Sequence, residues 1–311
     1  MELTNRLKRR FIKDCGLSIA ITDSPYFEYF IELYDTAFNT KHKLNTFIDI
    51  VNNFNTEEEV LDYLQNITDS IVNNIKSKAA YQTFVDADMN QFAIKSKYPS
   101  SSIFKVCHTG KELISIDLSK ANFQAMNYFN PNILEASSYE DFLRKQGITS
   151  EYILKSKYIR QVIFGNLISK RISVIEKHII YKIVEELEKF NYTILLVTED
   201  EIVLEGNLDI YNNILNIIKT MNIQVAVELF VLKTLRRPNG QPFKSDKFYV
   251  KEFITSTDTK LLPFEIKATD STFYPQFFKL IQGMKITDND LAFINEGFIA
   301  QYKNKIDGEI Y

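Results

Sequence analysis

An α+β fold, an antiparallel sheet flanked by helices, is what this sequence predicts, and three patterns carry the expectation. Val60, Leu61, Leu64, Ile67, Ile71 and Ile75 recur at helical spacing between Glu57 and Ile75. Leu195 to Glu205 is an apolar strand that breaks at Glu199, Asp200 and Glu201 and then resumes, as a β-hairpin with acids at its tip would. Leu113-Ile114-Ser115-Ile116-Asp117 is a second strand ending in an acid.

Taken in chain order, residues 1–102 read as a helical N-terminal region, in which Asn55-Thr56 offers a cap to the helix from Glu57. Tyr98 to Ser102 reads as a loop. Ile103 to Val106 and Leu113 to Asp117 then suggest a hairpin turning at Thr109-Gly110. A helical insert over 138–190 follows, opened by Ser138-Tyr139-Glu140-Asp141 and closed by a long amphipathic helix from Ile172 to Phe190. After the acidic hairpin come a helix over Leu208 to Met221, a strand over Val225 to Leu235, a turn at Pro238-Asn239-Gly240, and a strand from Phe248 to Phe253. The remainder, 256–311, reads as helical, with helices over Phe273 to Ile281 and Asp288 to Tyr302, the second capped by Thr287. The sheet is thus expected from 103–137 and 191–255.

Composition narrows the class. The chain of 311 residues is 45% apolar, with 24 Phe and 17 Tyr, enough to build a core. No apolar run reaches the ~18 residues of a membrane span, and the charged start, Met1 to Lys13, has no secretory pattern. The two cysteines, Cys15 and Cys107, lie far apart and share no zinc-ligand spacing with His42, His108 or His178. An intracellular setting is expected, cytoplasmic or within a host cell if the protein is viral. Net charge is −3, but Lys155, Lys157, Arg160, Lys170, Arg171, Lys177 and Lys182 face only Glu176 within their segment. Such an excess can meet phosphates or form a solvated helix face.

The two acid-ended strands carry the chemistry. Carboxylates fixed by a sheet, yet wet at the tip, can converge on Mg²⁺ bound to a nucleoside triphosphate, and burying them without a cation is costly. Taken singly, Asp117 could instead cap a helix starting near Ser119, and Glu199 and Asp200 could decorate a turn.

The wording around these acids resembles a known family. Ser115 to Gln124 resembles motif A of the family A DNA polymerases, the bacterial polymerase I type, and Leu196 to Glu205 is similar to their motif C, with Thr198 in the place of Val and Glu199 in the place of His. Lys157 to Asn166 is similar to the fingers helix of motif B, with Arg160 where the family has Lys, then Phe164 and Gly165 at the family's spacing. The resemblance runs from Leu113 to Leu235. Ser156, Ile168 and Asn122 depart from the family's Arg, Tyr and sugar-guarding Glu, and Gln124 resembles a residue of the single-subunit phage-type RNA polymerases.

The resemblance implies a palm-like sheet over 103–137 and 191–255, a reduced fingers-like insert over 138–190, and a thumb-like role for 1–102. It implies a nucleotidyltransferase that extends a DNA or RNA primer 3′ end on a template by two-metal chemistry. Asp117 and Asp200 would hold two Mg²⁺ ions, or Mn²⁺ as a substitute, with Glu201 supporting as a catalytic acid. Arg160, Lys157 and Lys170 would neutralise the triphosphate, Phe164 would stack on the base, and Asn122 and Gln124 would lie near the sugar. Replication or transcription proteins would be its partners, and a membrane would not. A catalytically inactive palm-derived nucleic-acid-binding or scaffold protein is the alternative.

Overall fold

The computed structural model describes residues 2–221, 223–237 and 248–311; the turn expected at Pro238-Asn239-Gly240 lies outside them. The helical N-terminal region comprises α1 (Asn5–Cys15), α2 (Tyr26–Leu33), α3 (Asp35–Phe38), α4 (Thr40–Val51), α5 (Glu57–Ser77) and α6 (Ala79–Asp86). Thr56 and Glu59 form a reciprocal capping box that satisfies donors at the start of α5, while Val60, Leu64, Ile71 and Ile75 bury its apolar stripe.

The sheet begins with β1 (Glu112–Leu118), after which α7 (Ala121–Phe129), α8 (Tyr139–Lys145), α9 (Glu151–Lys155), α10 (Lys157–Gly165) and α11 (Ser169–Glu188) intervene. It resumes with β2 (Ile194–Val197), β3 (Glu201–Glu205), α12 (Leu208–Met221), β4 (Val225–Arg236), β5 (Tyr249–Ser256) and β6 (Phe264–Lys267). The strands pair antiparallel in the order β2-β3-β1-β4-β5-β6, and a terminal β9 (Glu309–Ile310) pairs with β4 to complete a seven-stranded sheet.

Alternation along the strands divides the sheet into two faces. Ile114, Ile116, Leu118, Ile202, Leu204, Val227, Leu229 and Val250 join the main core shared with the helices. On the other face, Leu113, Val203, Phe230, Leu232 and Tyr249 form a smaller apolar cluster with Ile103 and Leu196. Ser115 and Asp117 follow Leu113 at alternate positions of β1, so this second face turns polar toward the end of that strand.

Three expectations need correction. Ile103 to Val106 is not a strand: both edges of β1 are already taken by β3 and β4, and Ile103 instead covers the small apolar cluster. The region 256–311 is not uniformly helical. Only α13 (Tyr274–Ile281) matches, whereas the helix expected over Asp288 to Tyr302 is a short 3₁₀ turn followed by a hairpin of β7 (Ala292–Asn295) and β8 (Phe298–Gln301). Glu296 and Gly297 both have positive φ, 51° and 87°, between the paired residues Asn295 and Phe298, which is the primed turn that closes a two-residue hairpin. Third, β6 lay in a stretch the sequence pattern did not mark as a strand; it forms because β5 offers it a free edge.

Candidate active site

Strand register brings the predicted acids together. Asp117 lies directly opposite Glu201 across the β1–β3 pair, and the backbone N–H of Leu118 donates to the carbonyl of Asp200 at 2.8 Å. The tip of the β2–β3 hairpin is braced by Thr198, whose hydroxyl accepts from the N–H of Glu201 at 2.9 Å and of Asp200 at 3.3 Å. The β-branched residue at 198 therefore has a mechanical role: it ties the turn that presents Asp200. Asp117 as a residue is exposed at the strand end, but desolvation of its carboxyl by the surrounding protein pushes it up to about 6, helped by the negative charges of Asp200 and Glu201 and opposed by Lys251. A carboxylate raised in this way, by desolvation first and neighbouring acids second, is a group that a divalent cation would relieve.

Two further ionisable groups escaped the reading of the sequence. Glu176, on α11, is only 7% exposed and accepts a 2.7 Å hydrogen bond from the Asn122 side chain. Burial pushes its carboxyl up to about 7, with Asp200 and Glu199 adding to the effect. It is the lone acid of the basic segment, and periodicity exposes its burial, because it falls among Ile172, Ile175, Ile179 and Ile180 on the buried stripe of the helix. Lys251, on β5, is the second: its Nζ lies 3.1 Å from Glu228 and 3.6 Å from Glu201.

A stability consequence follows for Glu176. Its folded carboxyl titrates above the usual glutamate value, so the folded chain holds the proton more tightly, and stability declines as pH rises from about 4.5 through about 7. Glu176→Gln keeps the acceptor for Asn122 but removes the charge. We expect this variant, free of metal, to be roughly 2–3 kcal/mol more stable than the parent at pH 8 and nearly equal to it at pH 4.5. Urea denaturation at both pH values measures this, and equal stability at pH 8 would refute it.

The remaining predicted residues are distributed otherwise. Gln124 is committed to the backbone: its amide donates to the carbonyls of Ser119 and Gln224 and its oxygen accepts from the Gln224 N–H at 3.0 Å, which locks α7 to the approach of β4. Arg160 and Phe164 do share one face of α10, as one helical turn requires. That face meets protein rather than open space: the Arg160 guanidinium lies 5.8 Å from the Tyr139 ring centroid, and the Phe164 ring lies 6.2 Å from it. Phe164 is 1% exposed, so the expectation that it offers a stacking surface is corrected to a core position.

Lys157 opens α10, which packs on α1 and α5, and it lines a cavity of about 190 Å³ with His42, Lys43 and Lys155. Lys170 is exposed in the first turn of α11 and makes no ion pair with another described residue. The basic excess of 155–182 is not one stripe: Lys155 pairs with Glu151, Arg171 donates to the carbonyls of Phe84 and Ala87, and Lys182 lies over Tyr128. Those charges are spread over three helices, so no single face collects them.

For divalent cations, Asp117 and Asp200 offer hard oxygen donors in adjoining positions, and the crowding that raises the Asp117 carboxyl is the electrostatic condition such an ion would reverse. Among the described residues no three His, Cys, Asp or Glu side chains already stand at ligand spacing, so the fit rests on this pair together with substrate oxygens. Comparison of the chain with protein-family models, with curated proteins and with solved structures finds no match. Among the described residues no helix is long and apolar enough to cross a membrane.

Proposed function

We propose that this protein is a polymerase-type nucleotidyltransferase, extending the 3′ end of a DNA or RNA primer-template with nucleoside triphosphates, and that its sheet is a palm. One observation carries the reading: Asp117, next to the end of β1, lies opposite Glu201 on the strand that leaves the Asp200 hairpin tip, on the sheet face that alternates away from the helical core. Acid-tipped turns are common, but two brought side by side from segments more than eighty residues apart supply the converging carboxylates that two-metal transfer uses. The resemblance of the sequence to family A polymerases points the same way.

On this reading Asp117 and Asp200 hold two Mg²⁺ ions, for which Mn²⁺ can substitute. Such ions would activate the attacking hydroxyl and neutralise charge on the triphosphate. The chain's own part is positional. Thr198 fixes the turn, the Leu118 N–H anchors the Asp200 backbone, and the ion pair with Lys251 orients Glu201. Lys170 is an exposed cation within the fingers-like insert, and the Asn122 side chain donates to Glu176. Replication or transcription proteins are the expected partners, in an intracellular setting.

A second reading is favoured by a specific observation. Phe164 is closed into the core and Arg160 is turned to Tyr139, so the fingers-like helix presents neither the stacking ring nor the phosphate grip that motif B would supply. A palm-derived nucleic-acid-binding or scaffold protein without catalysis would look this way. Primer extension with labelled deoxyribonucleotides and ribonucleotides in Mg²⁺ or Mn²⁺ separates the two. Incorporation by the parent protein is expected; salt-sensitive nucleic-acid binding without incorporation would establish the second reading instead.

A further inference from the structure

The acidic face contains a cation of its own. Lys251 is 4% exposed; its stem crosses the Phe230 ring, with Nζ 4.6 Å from the ring centroid. From there Nζ reaches Glu228 at 3.1 Å, Ser115 Oγ at 3.4 Å and Glu201 at 3.6 Å. Glu228 and Ser115 are themselves buried and lie opposite each other across the β1–β4 pair, one alternate position inward from Asp117. A second lysine, Lys260, bonds the other oxygen of Glu228. The face is therefore graded: inward, Glu228 is matched by two lysines; outward, Asp117 and Asp200 are carboxylates with no lysine in contact.

We propose that Lys251 is a positioning residue that serves as a permanent internal counter-ion, drawing Glu201 toward β5 and confining exchangeable divalent-cation binding to Asp117 and Asp200. The inference rests on the nucleotidyl-transfer reading for the role of those two acids, and it deepens that reading by giving Glu201 a fixed cationic partner of its own, apart from the metal. A buried ammonium is costly to desolvate, and the compensation here comes from two carboxylates and a hydroxyl. Burial alone would depress the Lys251 ammonium, but Glu228 and Glu201 outweigh it and hold it above the usual lysine range, so the charge is in place at neutral pH. Burial likewise works to raise Glu228, yet Lys251 and Lys260 bring it below its usual value.

The test counts Mn²⁺ ions by electron paramagnetic resonance, with free and bound metal distinguished, on the full chain. The parent should show a given number of bound ions; Lys251→Met should bind one more, because Glu201 and Glu228 then lack their shared cation. Lys251→Arg should return the count to the parent's. Lys251→Gln, which keeps hydrogen bonds to Ser115 and Glu228 without the charge, repeats the measurement should the methionine variant fail to fold, with the same increase expected. An unchanged count and affinity in the charge-removing variants overturns the proposal while leaving nucleotidyl transfer standing. Extra binding in those variants, with none in the parent, supports the role of Lys251 and leaves the pair Asp117 and Asp200 dependent on substrate oxygens for its metal. No binding in any variant overturns the proposal, and primer extension then decides nucleotidyl transfer separately.

Discussion

Asp117→Asn is expected to abolish metal-dependent nucleotide incorporation and, at the same time, to make the metal-free protein more stable at pH 8. The two effects have opposite signs because they arise from one feature. Desolvation and the neighbouring charges of Asp200 and Glu201 raise the Asp117 carboxyl to about 6, so its ionised form is uncomfortable in the folded chain until a cation arrives. A raised acid contributes stability that is lost as pH climbs through its folded value, here near 6, and the neutral amide never incurs that loss. Charge stabilisation by a bound metal is worth several kcal/mol in the transition state, so its loss should lower incorporation at least about a thousand-fold. Primer extension and thermal melting of the same preparation provide both readouts. An active Asp117→Asn protein ends the nucleotidyl-transfer proposal; an inactive but destabilised one says that Asp117 is a structural acid with a partner, contrary to the electrostatics of the site.

Phe164→Ala should destabilise the fold by about 3–5 kcal/mol, the usual cost of emptying a buried aromatic position. Phe164 is fully enclosed, in ring contact with Tyr139, which in turn lies 6.4 Å from Phe123 on α7. The ring thus belongs to a chain of aromatic contacts joining α10, α8 and α7, and α7 is the helix that immediately follows the Asp117 strand. Loss of the ring would be felt in denaturant midpoint before it is felt in substrate affinity. The sequence-based expectation makes the contrary forecast: a base-stacking ring truncated to alanine loses roughly 1–3 kcal/mol of nucleic-acid affinity with stability unchanged. Urea titration beside a nucleotide-binding isotherm decides between them, and unchanged stability with weakened binding would return Phe164 to the stacking role.

The differences between the two levels of reading have identifiable causes. Helix α5 was legible because apolar spacing, a capping box and a run of acids in its first turn all agree. The hairpin at Asn295-Glu296-Gly297-Phe298 was missed because the apolar residues Leu291, Phe293, Ile294, Phe298 and Ile299 can be fitted to a helical as well as a strand period. The Gly297 signal was there, and a turn with positive φ at both central residues was the better account of it. The supposed strand at Ile103 to Val106 failed for a reason no local pattern carries: the edges of β1 are claimed by strands that come far later in the chain.

At the site the division is the same. Strand-ending acids at 117 and 200, the hairpin between β2 and β3, and the helical spacing of Arg160 and Phe164 were all properties of short segments, and short segments suffice to specify period, turn and type of residue. Which way a helix face points, and what fills the space opposite, depends on packing between segments remote in sequence. Hence Arg160 and Phe164 share a face as spacing demands, but tertiary packing turned that face toward Tyr139. Glu176 and Lys251 acquired their importance in the same way: the helical period places Glu176 on a buried stripe, but only the closing of α11 and β5 around the acidic strands set one carboxyl among acids and one ammonium among carboxylates. Local chemistry is written along the chain, whereas electrostatic environment is a sum over neighbours, and neighbours exist only once the sheet has formed.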